Sequence, residues 1–204
     1  WNPRDDEVDV YFGPIVPGGH CYDVFRDECG TPDLILYLTP DGWWSAPHVS
    51  QLRVNDMDGD GANDVVMLFG SSGGGDASAR VAVLYGPFPA SRHISQGRSA
   101  ALRAPSRNVG GGALEFGDFD ADGLTDVVVD WDFIWRPDVR PRVTVLYGPF
   151  PSSGDLFAGG VRSTSIVVHG AGLQLYLRTS DVSGDGVDDL VVRTNVNPLI
   201  EGRD

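Results

Sequence analysis

A chain of 204 residues with 29 acidic against 15 basic side chains carries a formal charge of −14, which excludes it as a partner for the phosphate backbone of nucleic acids. Its 41% apolar residues suffice for a sizeable core, and no apolar run is long enough to cross a membrane as a helix. Every basic residue is Arg and none is Lys, a usage expected of a GC-rich bacterial genome.

The first predicted strand is Val8 to Phe12, closing on Gly13-Pro14. Cys21 and Cys29 follow in an insertion, since Gly13 to Gly86 spans 73 residues where Gly86 to Gly148 spans 62. The two cysteines predict a local disulfide, with two buried thiols as the alternative. Closing so short a loop contributes somewhat less than about 3 kcal/mol, enough to staple the insertion but not to hold the fold. Leu34 to Leu38 is the next strand, and Trp43-Trp44 lies beyond it, outside any repeated pattern.

From here the chain repeats itself. Leu52-Arg-Val54, Val65 to Phe69, Val81 to Tyr85 and Ala100 to Arg103 read as four short strands, and Leu114-Glu-Phe116, Val127 to Val129, Val143 to Tyr147 and Ser163 to Val168 take the same four roles. Val83-Leu-Tyr-Gly-Pro-Phe-Pro89 returns as Val145-Leu-Tyr-Gly-Pro-Phe-Pro151, and Val10-Tyr-Phe-Gly-Pro14 is a weaker copy. Self-similarity at a fixed period marks one supersecondary unit stacked on its copies. The predicted units are residues 50–104 and 112–168, with 1–38 supplying a third and fourth strand, 173–197 a first and second, and 198–204 a tail. Ile200-Glu-Gly-Arg203 in that tail matches a processing-protease cleavage sequence and stays outside the fold argument.

Between the first and second strands of each unit lies an acidic loop of one design. Asp56, Asp58, Asp60 and Asp64 stand at positions 1, 3, 5 and 9 of the first, Asp118, Asp120, Asp122 and Asp126 in the second, and Asp181, Ser183, Asp185 and Asp189 in the third. With a position-7 carbonyl from Ala62, Leu124 or Val187, such a set can surround a hard cation needing six to eight oxygens, and Gly61, Gly123 and Gly186 at position 6 permit the turn. Two carboxylates about 4 Å apart repel by roughly 4 kcal/mol at an effective dielectric of 20, so loops this acidic predict a bound ion, calcium, at three sites per chain. The alternative is a set of Asp/Gly surface turns. An EF-hand is excluded, because Met67, Val129 and Val192 stand at position 12 and β-branched runs follow each loop. Three calcium ions would reduce the net charge to about −8.

The pattern of apolar strand, Asp-x-Asp-x-Asp-Gly-x-x-Asp and apolar strand, with Phe116-Gly117 and Tyr85-Gly86-Pro87, resembles the FG-GAP and VCBS-type repeats that build the β-propeller of integrin α chains and of bacterial extracellular proteins. Ser183 departs from that pattern at position 3 of the last loop. The resemblance implies an all-β fold of four-stranded propeller blades, calcium as a structural brace, an extracellular or cell-surface setting, and a structural, adhesion or protein-interaction role; paired carboxylates stand only inside the metal loops, so no catalysis is expected.

The chain enters at a third strand and ends soon after a second, which makes three blades' worth, below the usual four to eight. The expectation is a homodimer of six blades or a piece of a longer propeller, and Trp at residue 1 points to processing or excision. His20, His48, His93 and His169 are scattered and make no nucleophile motif. Trp43 and Trp44 are the candidates for a carbohydrate-binding alternative, whereas Trp1 and Trp135 occupy equivalent repeat positions, as packing residues do. A non-catalytic accessory domain of a larger extracellular enzyme is the remaining reading.

Overall fold

The computed structural model describes residues 7–10, 34–37, 48–70, 80–90, 92–93, 99–103, 112–130, 142–151, 154–155, 161–168 and 173–196. Among them there is no helix, and the fold is all-β. In chain order the strands are β1 (Glu7–Val10), β2 (Leu34–Tyr37), β3 (His48–Asn55), β4 (Asp64–Gly70), β5 (Arg80–Leu84), β6 (Arg92–His93) and β7 (Ser99–Arg103). They continue as β8 (Leu114–Gly117), β9 (Asp126–Asp130), β10 (Arg142–Leu146), β11 (Gly154–Asp155), β12 (Ser163–Val167), β13 (Leu173–Ser180) and β14 (Asp189–Val196). The Cys21–Cys29 insertion, Trp43, Trp44, His20, His169 and the 198–204 tail lie outside the described residues.

Two compact units result, Trp1–Trp44 with Phe88–Gly97, and Ser45–Pro87 with Arg98–Asp204. In the first, β1 pairs antiparallel with β2, and β6 adds to β2 in parallel. Leu36 of β2 is fully buried there.

The second unit carries both repeats. Its sheets run β11-β7-β5-β4-β3 and β12-β10-β9-β8, followed by the two-stranded β13-β14. In both larger sheets the four predicted strands lie side by side in sequence order, each antiparallel to the next, and β11 adds in parallel to β7 at the edge of the first. Sequence order is the simplest way to connect short strands by short turns. The sequence reading missed β6 and β11, which are two residues each and follow Gly-Pro-Phe-Pro by the same interval in both repeats. Nothing as short as Arg92–His93 or Gly154–Asp155 leaves a period-2 signal.

The sheets of this unit stack face to face, and β9 explains how. Val127 and Val129 point to one side and join Val66, Leu68, Val81, Val83 and Leu102, while Val128 points to the other and joins Val143, Val145, Leu175 and Leu177. Alternation with period 2 puts successive valines on opposite faces, so an unbroken apolar run means burial on both. All five residues of β9 are buried. The first core lies between the β3–β7 sheet and the β8–β12 sheet, the second between the latter and β13–β14. Outer strand β12 is exposed along its whole length, with Ile166 and Val167 open to solvent.

Candidate metal centre

Each acidic loop is the turn between two antiparallel strands: β3 and β4, β8 and β9, β13 and β14. Two left-handed residues make the turn. Position 6 has φ of +86° at Gly61, +81° at Gly123 and +88° at Gly186, and position 4 has +75° at Gly59, +59° at Ala121 and +79° at Gly184. The second left-handed position went unread in the sequence because Ala121 breaks the glycine pattern there, although Gly59 and Gly184 carry the signal.

The carboxylates fold inward onto the backbone. Asp56 accepts the amides of Gly59 at 2.8 Å and Gly61 at 2.9 Å, Asp118 those of Asp122 at 3.2 Å and Gly123 at 2.9 Å, and Asp181 those of Gly184 at 2.6 Å and Gly186 at 2.9 Å. At position 5, Asp60, Asp122 and Asp185 each take the amide two residues on through Oδ1, at 2.8, 2.9 and 2.9 Å, the Asx-turn geometry that short acidic side chains favour. The Gly61 amide above all, with that of Gly59, holds Asp56 below the ordinary carboxylate range despite some desolvation. Gly186 and then Gly184 do the same for Asp181. These two therefore contribute stability that is present above the unfolded carboxylate range and lost as pH falls through the folded value.

Position 9 is different. Asp64 and Asp126 are fully buried, and both oxygens of each are taken. Asp64 accepts the Met57 amide at 2.8 Å and the Gly86 amide at 2.7 Å, and Asp126 those of Phe119 at 2.9 Å and Gly148 at 2.9 Å. The carboxylate thus ties the loop to the Tyr-Gly-Pro segment leaving the third strand. That is why the motif needs glycine: a Cβ on Gly86 would lie 2.5 Å from the Asn63 carbonyl oxygen. Burial pushes both acids up, opposed by these amides and reinforced by the neighbouring aspartates at positions 3 and 5. A folded value above the unfolded one means that ionisation at neutral pH costs stability, a cost a bound cation offsets. In the third loop Asp189 accepts the amides of Val182 at 3.0 Å and Ser183 at 2.8 Å, both through Oδ2.

Candidate ligand atoms of Asp56, Asp58 and Asp60 lie within 4.8 Å of one another, as do those of Asp118, Asp120 and Asp126. Among the described residues the third loop makes no such group, although Ser183 Oγ is 3.4 Å from Asp181 Oδ1. The structure therefore brings together three of the four predicted carboxylates in each of the first two loops, with Asp64 outside the first group and Asp122 outside the second.

Position 8, unassigned in the sequence reading, links the second and third loops each to the one before it. The Thr125 hydroxyl donates to the Asp56 carbonyl at 2.9 Å and accepts from Asn55 Nδ2 at 3.1 Å. One repeat on, Asp188 accepts the Asp118 amide at 2.9 Å, and its own amide donates to the Asp118 carbonyl at 3.0 Å. Both links span about one period, yet Asn, Thr and Asp share no pattern that a single sequence could reveal.

Comparison of the chain with family models, with curated proteins and with solved structures returns no match. Among the described residues no helix is long and apolar enough to cross a membrane.

Proposed function

We propose that this chain is a calcium-braced repeat module of the FG-GAP and VCBS type, its four-stranded sheets serving as blades of a β-propeller with a structural, adhesion or protein-interaction role at or outside the cell surface. The observation that carries the reading is the pair of carboxylate constellations at equivalent loops of successive sheets, each wound by two left-handed residues around converging oxygens. Their donor set is oxygen only, which suits a hard divalent ion and is wrong for zinc or copper. Asp56, Asp58 and Asp60 would hold one ion, with Asp64 and the Ala62 carbonyl as further donors, and Asp118, Asp120 and Asp126 another, with Asp122 and the Leu124 carbonyl; Asp181, Ser183, Asp185, Asp189 and the Val187 carbonyl would hold a third.

The ion would supply positive charge where the loops concentrate negative charge, locking a loop to two strands and, through position 8, to the neighbouring loop. Ring completion, by a second copy of the chain giving six blades or by the remainder of a longer chain, would add strands to the β13-β14 sheet, which has two among the described residues.

Isothermal calorimetry and thermal unfolding in calcium and in chelator test the metal reading. At a free concentration one hundred times Kd, each filled site adds about 2.7 kcal/mol, so the melting temperature should rise by several degrees in calcium and fall back in chelator. Indifference to both would sink the proposal. The native mass in calcium tests the ring separately: a monomer rejects the dimer without touching the metal sites.

A further inference from the structure

Arg162, the residue just ahead of β12, reaches across the second loop. Its Nη2 pairs with Asp120 Oδ2, lies 3.3 Å from Asp122 Oδ2 and 3.4 Å from the Gly148 carbonyl oxygen, and its guanidinium sits 4.9 Å from the centre of the Tyr147 ring. The other oxygen of each carboxylate is already engaged, Asp120 Oδ1 by the Asp122 amide at 3.3 Å and Asp122 Oδ1 by the Leu124 amide at 2.9 Å. The arginine thus takes the one oxygen of each carboxylate that no amide engages. In the third loop, among the described residues, Asp181 and Asp185 carry no ion pair. Arg98 stands ahead of β7 as Arg162 stands ahead of β12, but its position lies outside the described residues.

We propose that Arg162 is a tethered counter-cation of the second loop, covering Asp120 and Asp122 when the loop is empty and leaving them when a divalent ion enters. The proposal rests on the calcium reading of the loops and adds the way one of them is regulated. A guanidinium and a divalent ion compete for these oxygens: each N–H group occupies a lone pair that the metal could use, and the two positive charges repel at such short range. Holding the arginine there relieves repulsion among the aspartates in the empty loop. The same contact weakens metal binding, because the ion must first displace it. Arg162 is 58% exposed, so solvent screens the pair and exchange is feasible. Displacement leaves the guanidinium its place over Tyr147 and beside the Gly148 carbonyl, so it has a site to move toward.

The test is calcium titration by calorimetry of the full chain and of Arg162→Gln, Arg162→Lys and Asp118→Ala, the last with and without Arg162→Gln. Removing the charge should tighten one site by about fivefold, the upper end of what an exposed ion pair is worth, and Arg162→Lys should stay near wild type. The gain should vanish in the Asp118→Ala background, which localises it to the second loop. In the wild-type chain the Arg162 side-chain NMR signals should shift on saturation with calcium. Unchanged or weaker affinity in Arg162→Gln overturns the counter-cation and leaves the calcium sites standing. No heat of binding in any variant overturns the calcium reading itself and the exchange with it.

Discussion

Strands β9 and β14 begin with nearly the same residues, Asp126-Val-Val-Val129 and Asp189-Leu-Val-Val192, and meet opposite environments. Val128 is fully buried, whereas its counterpart Val191 is 44% exposed. The loops diverge in the same way: at position 2 Met57 is fully buried and Phe119 packs on the second core, while Val182 is 68% exposed. Nothing in the strands themselves makes the difference. β9 has strands on both edges and a sheet on both faces, and β14 has one of each among the described residues. A repeat is buried by the copies around it, so an outermost copy keeps the sequence of an interior strand on an open surface.

The sharpest way to break this comparison is to shorten both valines. Val128→Ala removes two buried methyl groups and leaves a cavity, an expected loss of about 2 kcal/mol in denaturant unfolding, while Val191→Ala should change stability by less than about 0.5 kcal/mol. Equal losses would mean that β14 is covered in solution, as ring completion by a second copy demands.

A smaller effect is expected at the links between loops. Asp188→Ala strips an acceptor from the Asp118 amide and Thr125→Val removes the hydroxyl held between Asn55 and the Asp56 carbonyl, each an expected cost of about 1 kcal/mol. If calcium acts on neighbouring loops together, either change should also lower the cooperativity of binding in calorimetry. Losses confined to stability would show that the links are mechanical only.

The smallest effect sharpens the comparison between loops in the opposite direction. Ala121 holds a left-handed conformation that its equivalents fill with glycine, so Ala121→Gly should stabilise by up to about 1 kcal/mol. The matching Gly59→Ala change should cost a similar amount, read by the same melts. No difference between them would mean that the two loops turn differently in solution.

Much of this was legible before any coordinates. Glycine at position 6 predicts the left-handed turn, and β5 and β10 lie where two copies of one strand were expected, each one residue earlier than the expected Val81 to Tyr85 and Val143 to Tyr147. Position 9 was legible only in part: an aspartate opening an apolar strand suggests a metal ligand, but its hold on Gly86 and Gly148 joins residues 22 apart in sequence. Arg162 was not legible at all, because it meets Asp122 across 40 residues and nothing marks an arginine before a strand as the neighbour of an acidic loop.

The sequence alone determined the period, the order of the four longer strands in each repeat and the acidic side chains of the loops, because these depend on local propensity and on side-chain types at short spacing. The tertiary structure decided which strands are buried, which carboxylate oxygens are engaged by distant groups and which loops are joined. Those depend on neighbours brought close by stacking, and stacking is a property of the assembled sheets that no single stretch of chain contains.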